Sequence, residues 1–297
     1  MKTTIVVTLL CLWLQADVYS QTLDRPSVAR LALGQTAEIP LGTFIGVQLG
    51  TSAFNSNTDV NRIIGTVEIA GIVEAELSNV GGLQTMLYEL KRQPSLGLKL
   101  KLLSEGDGVP AIAISVKGSI TWQNYWNSSD NMQLRRPDLY RAGLASAGYG
   151  YGYTTARILM TKHVWHDIML DLAIGVDDVS TRNVSFWGGA PNYIFPGYYS
   201  RPSVHHAPTV QGYLGIVYPL TPELALMGES ETIPFVTPDG NLSSLTTERA
   251  FIGSLGIRWQ FTRWHSFDCS WFGVSNSEGI ASSELRVGLN LVLPMFQ

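Results

Sequence analysis

A chain of 297 residues with 15% charged residues and a formal net charge of −4 gives no sign of nucleic-acid binding. Its 45% hydrophobic content is spread thinly, and past the N-terminus no apolar run is long enough for a spanning helix. High glycine, at 29 residues, with low charge and about one aromatic in ten suits a β-barrel better than a cytosolic enzyme.

Met1 to Ser20 has the layout of a secretory signal. Lys2 supplies the positive start, Ile5 to Leu14 the apolar run, and Val18 and Ser20 the small residues before cleavage at Gln21. Cys11 follows Leu9 and Leu10, where a lipid-anchoring signal needs small residues, so cleavage without lipidation is expected. Cys269 is then the mature chain's cysteine, and no internal disulfide is possible. Residues 21–42 show no alternation. They form a leader lying either in the periplasm or in the lumen of the barrel that follows over 43–297.

From Thr43 the chain alternates with period two, the pattern of strands between two different environments. Ile45, Val47 and Leu49 share one face of the first strand. Ile63, Val67 and Ile69 oppose Arg62, Thr66 and Glu68, and Ala70-Gly71 turns tightly into Val73, Ala75 and Leu77, which alternate with Glu74 and Glu76. Between Gly82 and Arg92 the spacing of Leu83, Met86, Leu87 and Leu90 becomes helical and predicts a short loop helix. Leu96, Leu98, Leu100 and Leu102 alternate with Lys99 and Lys101. Glu105 to Gly108 turns, and Ile112, Ile114, Val116 and Ile120 oppose Ser115 and Lys117. A long polar loop is expected from about Thr121 to Gly148.

The next strand ends near Met160, with Thr155 and Arg157 inward. It connects tightly through His163-Val164-Trp165 to Ile168, Leu170, Leu172 and Ile174, which oppose Asp167 and Asp171. A second long loop is expected over 177–207. Val210 to Tyr218 and Leu224 to Glu229 make a hairpin, and another loop runs to about Thr247. Leu255, Ile257, Trp259 and Phe261 alternate with Arg258 and Gln260. Past the Arg263-Trp264-His265 turn, Phe267, Cys269 and Trp271 oppose Asp268 and Ser270. In the last strand Leu285, Val287, Leu289, Leu291 and Leu293 face away from Arg286, Gly288 and Asn290.

These elements predict an all-β fold: a transmembrane antiparallel β-barrel of about twelve strands in the cell outer membrane, with short periplasmic turns and long extracellular loops. Trp165, Tyr218, Phe261 and Trp264 beside the short turns are expected to form the periplasmic aromatic girdle.

One hairpin resembles a known family. Pro94 to Gly106, containing Leu96, Leu98, Leu100 and Leu102 with Lys99 and Lys101, followed by Val109-Pro110-Ala111-Ile112-Ala113, is similar to the hairpin of YjbH-type outer-membrane proteins. Gly215 to Pro222 followed by Leu224-Ala225-Leu226 looks like a later hairpin of that family. The resemblance implies a non-enzymatic barrel assisting exopolysaccharide export or surface anchoring, with polysaccharide and periplasmic export proteins as partners. It brings no catalytic residues and no cofactor. This chain is shorter than many members and lacks their lipoprotein signal. Arg286, Gly288, Leu291 and Leu293 also resemble the terminal signal read by the barrel-assembly machinery, with leucines where aromatics are usual.

His205 and His206 are adjacent, so on an extended chain they point apart and make a poor metal site; no metal is expected. A lipid hydrolase needs serine beside histidine on the outer wall with a third orienting group. His163, His166 and His265 all fall near short turns, so no catalytic residues are assigned; an outer-membrane lipid hydrolase and a passive narrow porin remain as alternatives. Gly148 to Tyr153 alternates glycine with tyrosine but lacks the lysine and helix of a nucleotide loop. Asn127, Asn183 and Asn241 begin glycosylation sequons in expected loops and are chance matches in a bacterial outer membrane.

Two candidate sites remain. Tyr149, Tyr151 and Tyr153 fall in phase with inward Thr155 and Arg157 near the outer mouth, where aromatic faces suit stacking on sugar. Glu74, Glu76, Lys99, Lys101, Lys117, Arg157, Asp171, Glu229, Arg258 and Arg286 are expected to form a nearly balanced lumen charge network.

Overall fold

The structure, a computed structural model, describes residues 35–52, 62–78, 95–119, 123–127, 144–188, 205–238, 245–262, 264–276 and 279–296. The strands are β1 (Thr43–Ser52), β2 (Arg62–Ile69), β3 (Val73–Ser78), β4 (Ser95–Leu103), β5 (Ala111–Ser119), β6 (Gln123–Asn127) and β7 (Leu144–Val164). After a single 3-10 turn at Trp165–Asp167 come β8 (Ile168–Gly188), β9 (His205–Pro219), β10 (Leu224–Pro238), β11 (Leu245–Thr262), β12 (His265–Asn276) and β13 (Gly279–Phe296).

Every strand pairs antiparallel with its neighbours. β1 pairs with β13, and β5 pairs with β7, which closes the sheet on itself. The closed ring holds twelve strands, β1–β5 and β7–β13. β6 pairs with β7 beyond the end of β5, so these two lie end to end along one edge of β7.

Alternation in the sequence becomes two walls. Leu96, Leu98, Ile174, Leu214, Leu255, Trp259 and Trp271 stand exposed on the outside, while Lys99, Glu76, Asp171, Gln211 and Arg258 are buried inside. An apolar exterior around a polar interior, with no open edge, is the membrane-spanning barrel of the outer-membrane type. Cys269 takes an outward position and is free.

Short turns gather at one end. Ala70 and Gly71 both hold positive φ, 53° and 68°, as a two-residue hairpin turn of right-handed strands requires. Glycine also serves inside the wall. A Cβ on Gly175 would meet the carbonyl oxygen of Ala156 and lie 2.7 Å from Arg157 Cγ, so its absence makes room for the arginine.

Several expected loops are strand instead. β7 and β8 are 21 residues each, and β10, β11 and β13 are 15, 18 and 18. A tilted strand needs only about 9–11 residues to cross a bilayer. Beyond the lipid both faces meet water, so apolar alternation stops while backbone pairing continues. The stretches expected as loops after Thr121, Asp177 and Glu229 therefore begin or end as strand. Asn183-Val184-Ser185 lies in β8 rather than in a loop; Asn127 ends β6, with the rest of its sequon outside the described residues, as is Asn241. The helix expected within 82–92 and the signal segment also lie outside them.

Trp165 is 76% exposed and Tyr218 and Phe261 also face outward, at the short-turn end. Trp264 differs: its ring packs 5.7 Å from that of Phe44, which is buried inside the wall. Trp264 sits in the turn between β11 and β12, outside the alternating phase that aims the others at lipid.

Candidate functional site

The lumen holds the chain's polar chemistry, and its short-turn end is filled. Residues 36–39 run along the inner wall: Thr36 and Ala37 are fully buried and Ile39 nearly so. Lys99 Nζ donates to the carbonyls of Thr36 (3.2 Å) and Glu38 (3.1 Å), and Lys101 Nζ donates to that of Ile39 (3.0 Å). The Ala37 N–H donates to Thr161 Oγ1 at 2.7 Å, and Gln35 Nε2 to Glu76 Oε2 at 2.7 Å. Peptide carbonyls cannot be left bare in a buried space, and two lysine ammoniums satisfy three of them.

Ala37 then completes a small apolar core inside the barrel, with Ala111 and Ala113 of β5, Leu159 of β7, Met169 and Ala173 of β8, Tyr213 and Val217 of β9 and Met227 of β10. A porin lumen is ordinarily lined with polar groups around water. Here one end is packed like a protein interior. The leader, for which the sequence left two positions open, has residues 36–39 inside the lumen, while Leu41 is exposed.

The inner wall is also braced by ion pairs. Lys99 lies 2.6 Å from Glu74, and Lys117 2.8 Å from Glu76. Arg258 grips Asp268 with two N–H donors, at 2.6 and 2.8 Å, and Asn290 Nδ2 donates to Asp268 Oδ2 at 2.9 Å. Arg157 reaches Glu231 at 2.6 Å and Asp177 at 3.1 Å. Glu229 accepts from Tyr213 Oη and Ser254 Oγ, both at 2.9 Å. Thr161 Oγ1 donates to Asp171. Arg286 sits 4.2 Å from the ring centre of Phe272, a cation–π contact.

All ten charged positions singled out from alternation thus stand on the inner wall, but not as one network. Lys101 holds the N-terminal segment, Asp171 bonds a hydroxyl, and Arg286 lies over an aromatic ring. Asp177 and Glu231 were missed because they lie in stretches read as loops. The signal was present, since they continue the phases of Asp171 and Glu229.

Tyr149, Tyr151 and Tyr153 belong to β7. A register irregularity falls between Gly148 and Gly150 against β8, and from Tyr151 onward pairing runs unbroken to Thr155 and Arg157. Their side chains lie outside the described residues. His205 and His206 open β9, and their side chains lie outside the described residues.

At the short-turn rim three distant segments meet. Glu105 Oε1 accepts the backbone N–H of His163 at 2.8 Å, and its Oε2 lies 2.7 Å from His163 Nδ1. Lys162 Nζ lies 3.0 Å from Glu105 and donates to the Gly106 carbonyl. Glu38 stands 3.8 Å from His163 Nδ1. Burial raises the Glu38 carboxyl above its ordinary pKa. Burial acts the same way on Glu105, but hydrogen bonds from His163 and Lys162 outweigh it and hold that carboxyl below its ordinary pKa. At the same end, His265 Nδ1 is 2.7 Å from Thr262 Oγ1, and its ring stacks on Phe261.

No described protein family and no curated protein matches the chain. Among solved structures it is similar to the translocator domain of the autotransporter NalP from Neisseria meningitidis, at 12% identity and TM-score 0.44, covering 93% of this chain and 95% of that one. It is similar to the NanC porin, at 6% identity and TM-score 0.42, covering 85% of this chain and all of the other. It is also similar to the toluene transporter TodX of P. putida, at 7% identity and TM-score 0.38, covering 86% and 90%.

Proposed function

We propose that this chain is a non-enzymatic outer-membrane barrel, closed at rest by its own N-terminal segment, that assists export or surface anchoring of an extracellular polysaccharide. The observation that carries the reading is the filled short-turn end of the lumen, where residues 36–39 and the core around Ala37 and Leu159 occupy the path an open pore would leave to water. The exterior is lipid-facing, so outer-membrane lipid is the first partner and the barrel-assembly machinery a transient one. Periplasmic export proteins would meet the short-turn end. The tyrosines of β7 lie toward the opposite end, where a polymer would leave.

A narrow solute channel is the second reading, favoured by one feature. Among the described residues, both amide atoms of Gln211 and the Oε1 of Gln48 are buried in the lumen without a hydrogen-bond partner. Buried amides are ordinarily paired or hydrated, which favours a lumen that admits water.

Detergent-purified protein in planar bilayers, an ester-hydrolysis assay, and surface-polysaccharide retention in a strain lacking the gene divide the readings. The proposal expects a silent bilayer, no hydrolysis and loss of retained polymer. Steady conductance with unchanged polymer would replace it with the channel, and ester turnover with an enzyme.

A further inference from the structure

We propose that Glu38, Glu105 and His163 form a divalent-cation site, best suited to zinc, that fastens the N-terminal segment to the short-turn rim. Their ligand atoms all lie within 4.8 Å of one another. They come from three separate places: the lumenal segment, the β4–β5 turn and the end of β7. One imidazole with two carboxylates is a donor set for zinc. Calcium and magnesium prefer oxygen alone, in greater number.

The spacing fits an ion of that size. With zinc bonds of about 2.0–2.1 Å, tetrahedral donors sit about 3.3 Å apart. His163 Nδ1 is 3.8 Å from Glu38 and 2.7 Å from Glu105, on either side of that value, so small side-chain rotations admit the ion. The fourth position is left to water. The Glu105 bond to the His163 backbone already fixes two ligands relative to each other.

A second observation points the same way. Asp171 is 1% exposed, and its Oδ2 has no hydrogen-bond partner among the described residues. Its other oxygen is held by Thr161, which also takes the amide of Ala37, next to Glu38. The corner thus gathers three carboxylates. Lys162 on Glu105 and Lys101 near Glu38 oppose them. A divalent cation among Glu38, Glu105 and His163 ties the segment that fills the lumen to the wall.

Calorimetric titration of the full-length, detergent-folded barrel with zinc tests this. One zinc per chain is expected, with magnesium failing to compete. Glu38→Gln and His163→Ala should each weaken binding at least about tenfold. Glu38 lies on the segment and not in the barrel wall, so Glu38→Gln keeps the test valid if His163→Ala fails to assemble. A His205→Gln/His206→Gln variant should bind as the parent does. Absence of saturable binding, or binding unaltered by Glu38→Gln, would overturn the site. Its failure leaves the closed-barrel reading standing, because lysines and Thr161 hold the segment without any ion.

Discussion

Arg157 on β7 reaches Glu231 on β10 at 2.6 Å, across the two strands that lie between them. The same guanidinium meets Asp177 on β8 at 3.1 Å and Thr155 Oγ1 at 3.0 Å. One cation thus braces a curved wall that backbone pairing alone links only strand by strand. Arg157→Met would leave two buried carboxylates without their counter-ion. A loss of about 3–5 kcal/mol in folding stability is expected, as for breaking a buried ion pair from one side. Urea titration of heat-modifiable mobility in detergent measures it. Replacing Glu231 and Asp177 with Gln in the same variant should recover part of the loss, and no recovery would mean the bracing is not electrostatic.

Thr161→Val probes the lumenal segment. The hydroxyl accepts the Ala37 amide and donates to Asp171, and both groups are buried. Leaving them unmatched costs about 1–3 kcal/mol each. The barrel wall itself loses no backbone bond. The variant should assemble normally and show opening bursts in planar bilayers where the parent is silent. Identical silent traces would mean that residues 36–39 are not what closes the lumen.

Gly175→Ala tests close approach. The added Cβ meets the Ala156 carbonyl and comes within 2.8 Å of Arg157 Cα, both backbone atoms that cannot swing aside. A cost of about 1–3 kcal/mol is expected from overpacking. Gly212→Ala, where nothing lies within 4 Å, is the matched control and should unfold with the parent. Equal midpoints for the two variants would refute the steric account.

Changing Tyr149, Tyr151 and Tyr153 together to Ala separates two roles for the β7 tyrosines. As a guide for sugar, they are expected to lower polymer binding or export while the barrel still assembles. As a packed constriction, they would instead let small solutes leak. Unchanged export with increased leakage would end the guide reading.

The two faces of nearly every described strand were legible in the sequence. Leu96 against Lys99, or Leu255 against Arg258, needs only period two and a contrast between lipid and lumen. The tight Ala70-Gly71 turn was legible too, because the residue types announce the geometry. Strand ends were not. Asp177 and Glu231 lie where the outer face meets water, and there apolar alternation no longer reports a strand that backbone pairing sustains.

Nor could alternation say which inward charges meet. That depends on closure, which brings β5 beside β7 and curves the wall until β7 and β10 touch through Arg157 and Glu231. The leader is the clearest case. Residues 36–39 carry no periodic signal, since they form no strand of the barrel. Their place was decided by what the closed barrel presents: two lysine ammoniums, the hydroxyl of Thr161 and a patch of small apolar side chains. A segment with bare peptide groups is held where donors and acceptors already converge, and that convergence exists only once the ring has closed.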